Sequence, residues 1–277
     1  MRLAFLDAEM ATRPVFSEVG AAVLMSGTFY PPNMYADILG IPQEKRMDRI
    51  YKSPFPKENR KVLGLRGMTT QYARRDDAMY GDYAAYLAAL AGAVAGNTAA
   101  FFPSYKFMED VASRLEGKLS RTELIVESRS MTKRDRENVV GRLRERKPAC
   151  LMLAVQGGSL SEGIDYEGNI LSAIAVVGLP LAPPNLEVKA LVGHFISKFG
   201  GARGNLYGYT APALNKVVQS AGRLIRSEKD RGVVVLMDER FTQARYAVLV
   251  PPELQPEMLA SQDEMIAEVE HFFKKNR

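Results

Sequence analysis

The chain has 277 residues, 47% of them hydrophobic and 25% charged, with 37 basic side chains against 32 acidic ones and a net charge of +5. That balance is ordinary for a globular protein long enough to bury a core, and it excludes a low-complexity or disordered chain. A single cysteine, Cys150, excludes an intramolecular disulfide and cannot by itself hold zinc or an iron–sulfur cluster.

No apolar run approaches the roughly 18 residues needed to span a bilayer, and the start of the sequence has no secretory apolar region, so a cytoplasmic protein without a membrane partner is expected. The basic excess is compatible with a phosphate or nucleic-acid partner without requiring one. His194 and His271 have no Cys or His at ligand spacing.

In chain order, strands are expected over 2–7, 21–26, 61–66, 98–103, 123–128, 150–155, 170–178 and 232–238. Helices are expected over 31–39, 79–95, 104–116, 132–146, 184–199, 210–226 and 255–275. The strand segments, such as "CLMLAV" (150–155), are apolar throughout rather than alternating, as when both faces of a sheet are covered. Strand then helix, repeated, implies right-handed crossovers and a mostly parallel sheet between helical layers. Ligands in such sheets gather at the carboxyl ends of the strands. The Pro-rich, charged stretch 41–60 and the Gly-rich, basic stretch 198–208 read as excursions from the core, and no internal repeat is present.

Five stretches carry candidate chemistry. "VLMSGTFYPP" (23–32) ends an apolar strand in Ser26 and Thr28, and alone is merely a helix entry. "TAAFFPSYKF" (98–107) puts Ser104, Tyr105 and Lys106 at a helix N-terminus, where free N–H groups favour an anion; a plain junction with a serine cap fits equally well. "VQGGSLSEGIDYEGN" (155–169) is a loop of small residues whose N–H groups could cradle phosphate. Gly158 and Gly163 match G-x-x-x-x-G, but Ile164 and Asp165 follow where a triphosphate-binding loop needs Lys and Ser or Thr.

In the helix expected over 210–226, Gln219, Gly222, Arg223 and Arg226 share one face, with Val217, Ala221, Leu224 and Ile225 packed behind them. A solvated basic face is the bland alternative. Arginine rather than lysine recurs, and its planar fork suits phosphate. Gly222 inside a helix suggests that something approaches its backbone closely. Finally, "VVVLMDE" (233–239) satisfies the loose pattern of a magnesium-binding strand end. The absence of a lysine loop in the chain to complete such a site disfavours that reading.

Taken in order, "SGT", "FFPSY", "GGSLSEGIDYEG" and "QSAGRLIR" resemble motifs III, IV, V and VI of superfamily 2 helicases of the XPD/DinG type, with "SPFPKENR", "VVGLPLAPPN" and "SEKDRGVVVLMDERF" matching further segments. The resemblance runs from about residue 2 to 252, nearest to an archaeal XPD-like protein. It implies a RecA-like α/β/α second motor domain over 1–252, with 253–277 a helical extension. It also implies that ATP and Mg²⁺ lie between this lobe and a first motor domain that supplies most of their ligands.

On that footing Arg226 is the better candidate for an arginine finger. Arg223 also faces the phosphates, Gln219 orients the nucleotide site, and Gly163 and Asp165 line the same cleft. Ser104, Tyr105, Lys106 and Ser159 contact single-stranded DNA. Asp238 and Arg240 form a strand-end feature that is structural or coupling rather than metal-binding. The lysine loop, the DEAH acid and the four cysteines of an iron–sulfur domain are missing, so any such cluster belongs to a longer parent protein. The expectation is a C-terminal portion of a 5′-to-3′ DNA helicase, inactive alone. A silent nucleic-acid-binding or regulatory module, and a complete nucleotide hydrolase using Asp238 and Glu239, are the competing readings.

Overall fold

The computed structural model describes residues 6–275. Seven parallel strands form one sheet in the order β3-β4-β2-β5-β6-β1-β7. They are β1 (Arg60–Leu65), β2 (Asn97–Phe102), β3 (Thr122–Val126), β4 (Ala149–Val155), β5 (Leu171–Val177), β6 (Gly232–Met237) and β7 (Glu257–Leu259). The helices are α1 (Glu9–Glu18), α2 (Pro32–Ile38), α3 (Asp77–Ala93), α4 (Tyr105–Ala112), α5 (Lys133–Glu145), α6 (Leu186–Phe199), α7 (Gly201–Asn205), α8 (Ala211–Ala221), α9 (Ala244–Ala247) and α10 (Gln262–Lys274).

Every residue of β2 and β6 is buried, because helices cover both faces of the sheet. Successive side chains divide between two cores as the two-residue period of a strand requires. Phe101, Met152, Ile174 and Val234 face one core, with Leu214 and Val217 of α8 and Phe195 of α6. Phe102, Leu153, Ala175 and Val235 face the other, with Leu87 of α3, Phe107 of α4 and Met265 of α10. The result is the expected three-layer α/β/α arrangement, with α8 on one face and α3, α4 and α10 on the other.

Local sequence sets where the helices start. Asp76, Ser104, Asn185 and Ser261 each cap a helix by accepting a bond from a backbone N–H three residues on, and Thr132 and Asp135 form a reciprocal capping box.

Four expectations are corrected. Residues 21–26 form no strand: they are irregular and exposed, with Val23 at 84% and Met25 at 82% exposure. The helix expected over 210–226 begins with a π turn over 206–210 and stops at Ala221. Residues 255–275 are not one helix, because β7 adds to the sheet beside β1 before α10 begins. Residues 9–18, not foreseen as regular, are helical. The strand expected over 2–7 lies largely outside the described residues.

The carboxyl ends of the parallel strands bring together the segments that follow β1 (66–75), β2 (103–106), β3 (127–131), β4 (156–165) and β6 (238–242). Gln156 ties this edge together. Its Nε2 donates to the carbonyls of Phe101, Val177 and Gly178 at 3.1–3.3 Å, across the ends of β2 and β5.

Candidate nucleotide and nucleic-acid site

The arginine pair sits differently from the helical expectation. Gly222 is the C-terminal cap of α8, so Arg223 and Arg226 lie in the turn that leads to β6, while Gln219 remains on the last helical turn, exposed. No ligand-like approach explains Gly222. A side chain there would meet only the Val218 and Gln219 carbonyls of its own helix, at 3.2 and 3.6 Å. Val217, Ala221, Leu224 and Ile225 are buried against the sheet as expected, so the chain behind the arginines is fixed. The turn itself is held by the buried carboxylate of Asp230, which accepts the backbone N–H groups of Arg226 and Ser227 at 2.8 and 2.7 Å.

Both guanidiniums reach the 156–165 loop. Arg223 donates to the Ile164 carbonyl, and Arg226 Nε lies 3.2 Å from Asp165 Oδ1, the two side chains being 40% and 50% exposed. Burial, then the neighbouring Arg226 charge, hold the Arg223 guanidinium below its ordinary value; it is still charged at neutral pH. This group therefore combines two like charges in close company with the exposed carboxylates of Asp165 and Glu162. An exposed ion pair of that kind contributes little, up to about 1 kcal/mol, so an incoming phosphate loses little by displacing it. Gly163, with φ +73°, provides the reversal that brings Asp165 round.

The other candidates lie at the carboxyl edge of the sheet. Ser104 is the N-cap of α4, its Oγ accepting from Phe107 N at 3.3 Å. Ser159, Tyr105 and the loop backbone converge on a residue that sequence reasoning missed, Glu127, at the end of β3. One of its oxygens accepts from Ser159 Oγ (2.8 Å), Leu160 N (3.2 Å) and Tyr105 Oη (3.3 Å); the other accepts from Val155 N (2.7 Å). Glu127 is 3% exposed, and such a carboxylate is tolerable only because its lone pairs are filled.

Gly158 is required beside it, since a Cβ there would lie 2.8 Å from both carboxylate oxygens. The Tyr105 ring is covered on one side by the Arg129 guanidinium, 4.3 Å from its centroid. Burial, then the Glu127 charge and hydrogen bond, raise the Tyr105 phenol. Lys106 is exposed and pairs with Asp110 one turn on. In the sequence Glu127 is only the acid that closes the apolar run of "ELIVES" (123–128); what it binds was not legible.

Asp238 and Arg240 are buried together, at 0% and 4% exposure. Asp238 accepts from Thr70 N (2.9 Å) and Thr70 Oγ1 (3.2 Å), and from Arg240 Nη2 (2.7 Å) and Nε (2.8 Å). Arg240 Nη2 also donates to Thr70 Oγ1 at 2.7 Å. Both carboxylate oxygens are thus committed to protein donors that pin the 66–75 segment to β6. Among the described residues no group of three or more His, Cys, Asp or Glu is placed to hold a metal ion. No helix among them is long and apolar enough to cross a membrane.

The comparisons agree with this architecture. A family model described as the helicase C-terminal domain matches residues 87–257. The chain is 26% identical over 262 residues to the XPD/RAD3 helicase subunit of the general transcription and DNA repair factor IIH of Saccharomyces cerevisiae, an alignment covering 88% of this chain and 33% of that protein. It is 28% identical to the ATP-dependent DNA helicase XPD of Sulfolobus acidocaldarius (79% and 39% covered) and 30% identical to the ATP-dependent DNA helicase DinG of Photobacterium profundum (87% and 35%). A solved XPD helicase structure superimposes with a TM-score of 0.67 at 26% identity, over 86% of this chain and 42% of that one. The chain therefore spans between a third and two-fifths of the length of these curated relatives. By fold, motif order and sequence it belongs to the helicase C-terminal domain family.

Proposed function

We propose that this chain is the second motor lobe of an ATP-dependent, 5′-to-3′ DNA helicase of the DNA-repair type. In this reading Arg226 and Arg223 meet the nucleotide phosphates held mainly by a first motor domain, and the carboxyl-edge cluster meets single-stranded DNA. The observation that carries it is the arginine pair: two guanidiniums on a turn anchored by buried neighbours, lightly tethered to the exposed Asp165 and the Ile164 carbonyl. Bound ATP with Mg²⁺ would supply the phosphoryl group and a metal that neutralises its oxygens.

The residues of this chain fit the arginine part of such a site and not the metal part, whose ligands the proposal places in the first domain. Their task is to add positive charge where negative charge builds up, which elsewhere contributes roughly 10³–10⁵ in rate. Gln219 and Gly163 position the edges of the same surface.

The test is ATP turnover by the purified chain alone and after addition of a first motor domain of this family, in trans or fused. The expected outcome is negligible turnover alone and DNA-stimulated turnover in the reconstituted pair, reduced at least about 1000-fold by Arg226→Ala. Robust turnover by the chain alone that Arg226→Ala abolishes would overturn the two-lobe reading. DNA binding without turnover in any pairing would favour a silent binding or regulatory module.

A further inference from the structure

The expected DNA contacts all follow β2 and β4, yet the same edge carries an aromatic ring that none of them uses. Tyr72 stands on a single 3₁₀ turn (Tyr72–Arg74) after β1 and is 87% exposed. Beneath it the Arg75 guanidinium lies 5.6 Å from the Tyr72 centroid and 5.2 Å from the ring of Phe107, a core residue of α4. Arg75 Nε donates to the Thr70 carbonyl at 3.1 Å, and Thr70 is itself bound to the buried Asp238. The exposed ring and its arginine are thus held by the core rather than hanging from a loose loop.

Among the described residues Arg75 makes no ion pair: two rings and the Thr70 carbonyl hold its guanidinium, and no carboxylate neutralises its charge. Tyr72, Arg75, Tyr80, Ser104 and Lys106 line one open cleft of about 540 Å³. No carboxylate lines it, although Lys106 has Asp110 beside it on α4. A second cleft contains Asp76 and Asp82 beside Arg74; an anion is disfavoured there and favoured here.

A flat, exposed ring with a cation behind it, and a second cation on the same rim, suits a ligand that is planar at one end and anionic at the other. That is one unit of an extended nucleic-acid strand: stacking is worth roughly 1–3 kcal/mol per base and tolerates any base, while arginine and lysine take the phosphates. Resting on the helicase reading above, we propose that this cleft is a nucleotide-binding subsite for single-stranded nucleic acid, with a base stacked on Tyr72 and its phosphate on Arg75 and Lys106. The strand would then pass from the 104–106 turn across to the segment after β1, extending the contact surface over the strand order β2-β5-β6-β1.

The experiment uses the whole chain with a fluorescein-labelled oligothymidylate at low salt, read by anisotropy. Tyr72→Ala removes only an exposed side chain, and unchanged thermal melting by circular dichroism verifies the fold. The expected result is a Kd raised roughly 5- to 150-fold by Tyr72→Ala and nearly restored by Tyr72→Phe. An oligonucleotide carrying 5-bromodeoxyuridine should photocross-link to the peptide containing Tyr72.

If Lys106→Ala weakens binding while Tyr72→Ala leaves Kd unchanged, the subsite is refuted and the DNA-binding reading survives. If the wild-type chain shows no affinity for the strand at low salt, the functional reading fails and the subsite with it. Equal affinity for thymidine monophosphate and for the strand would overturn the assignment in favour of a free-nucleotide site.

Discussion

Glu127 shows how much one residue can organise. Four donors from three segments end on its two buried oxygens. Glu127→Ala leaves those donors without an acceptor, so a loss of stability of about 1–3 kcal/mol is expected by urea unfolding. Gly158→Ala should cost a comparable amount, because its Cβ would press on the same carboxylate and on the Val155 carbonyl 2.9 Å away. The two changes share one cause, so the double variant should lose clearly less than the sum. Additive losses would mean that the close approach is not what requires the glycine.

Asp238 makes the opposite point about local pattern. Its strand end imitates a metal-binding acid, but its oxygens are filled by Thr70 and Arg240. Arg240→Ala would strand a buried carboxylate, with an expected cost of about 3–5 kcal/mol and no dependence of the loss on added Mg²⁺.

Among the elements, those whose signal was burial were legible and those whose signal was partnership were not. β2, β4, β5 and β6 announced themselves as apolar runs because helices cover both of their faces. Residues 21–26 carry the same apolar signal and are exposed, since hydropathy marks a strand-like segment without naming a sheet for it. β7 was hidden by its brevity: three residues beside β1 give no periodicity to read. The end of α8 was missed because Gly222 was read as a helical residue under close approach rather than as a cap. In the site, residue types that point to phosphate stood out in the sequence. Glu127 and Tyr72 did not, because their meaning lies in what surrounds them.

Two element contacts have measurable consequences. Gly204 of α7 passes so close to α6 that a Cβ would lie 2.3–2.4 Å from backbone atoms of Phe195 and Ile196. Gly204→Ala should force these helices apart and destabilise the chain by about 2 kcal/mol or more in the same unfolding assay. The N-terminal helix is anchored by Asp7, which accepts from Lys198 Nζ at 2.8 and 2.9 Å and lies 3.1 Å from His194 Nε2. Burial pushes the Asp7 carboxyl up, but the hydrogen bonds from Lys198, the Glu9 backbone and His194 outweigh it, and the group lies below its ordinary value.

A depressed folded-state value means that the stabilisation is complete above the unfolded pKa, about 4, and is lost as pH falls through the lower folded value. Asp7→Asn should therefore flatten the acid limb of the stability profile below about pH 4 and leave its shape at neutral pH unchanged. An acid limb of unaltered steepness would show that the contact does not hold the helix.

At the scale of the whole molecule, the cations that matter fall into two groups joined by the 156–165 loop. Arg223 and Arg226 stand at the approach to β6, and Arg75, Lys106 and Arg129 stand along the carboxyl edge. If the second group carries the nucleic-acid contact, its two physical components should separate by salt. Each phosphate neutralised on a single strand contributes a slope of about −0.7 to the dependence of log K on log salt concentration. Stacking contributes to affinity without that slope.

Titrations of oligothymidylate from low to moderate salt should then show Lys106→Ala reducing the slope by about 0.7, whereas Tyr72→Ala lowers affinity at every salt concentration and leaves the slope intact. Arg226→Ala, on the turn that leads to β6, should change neither quantity. A slope that moves with Arg226 rather than Lys106 would place the strand on the arginine turn instead, making that turn a nucleic-acid contact and removing the basis for assigning it to a nucleotide phosphate.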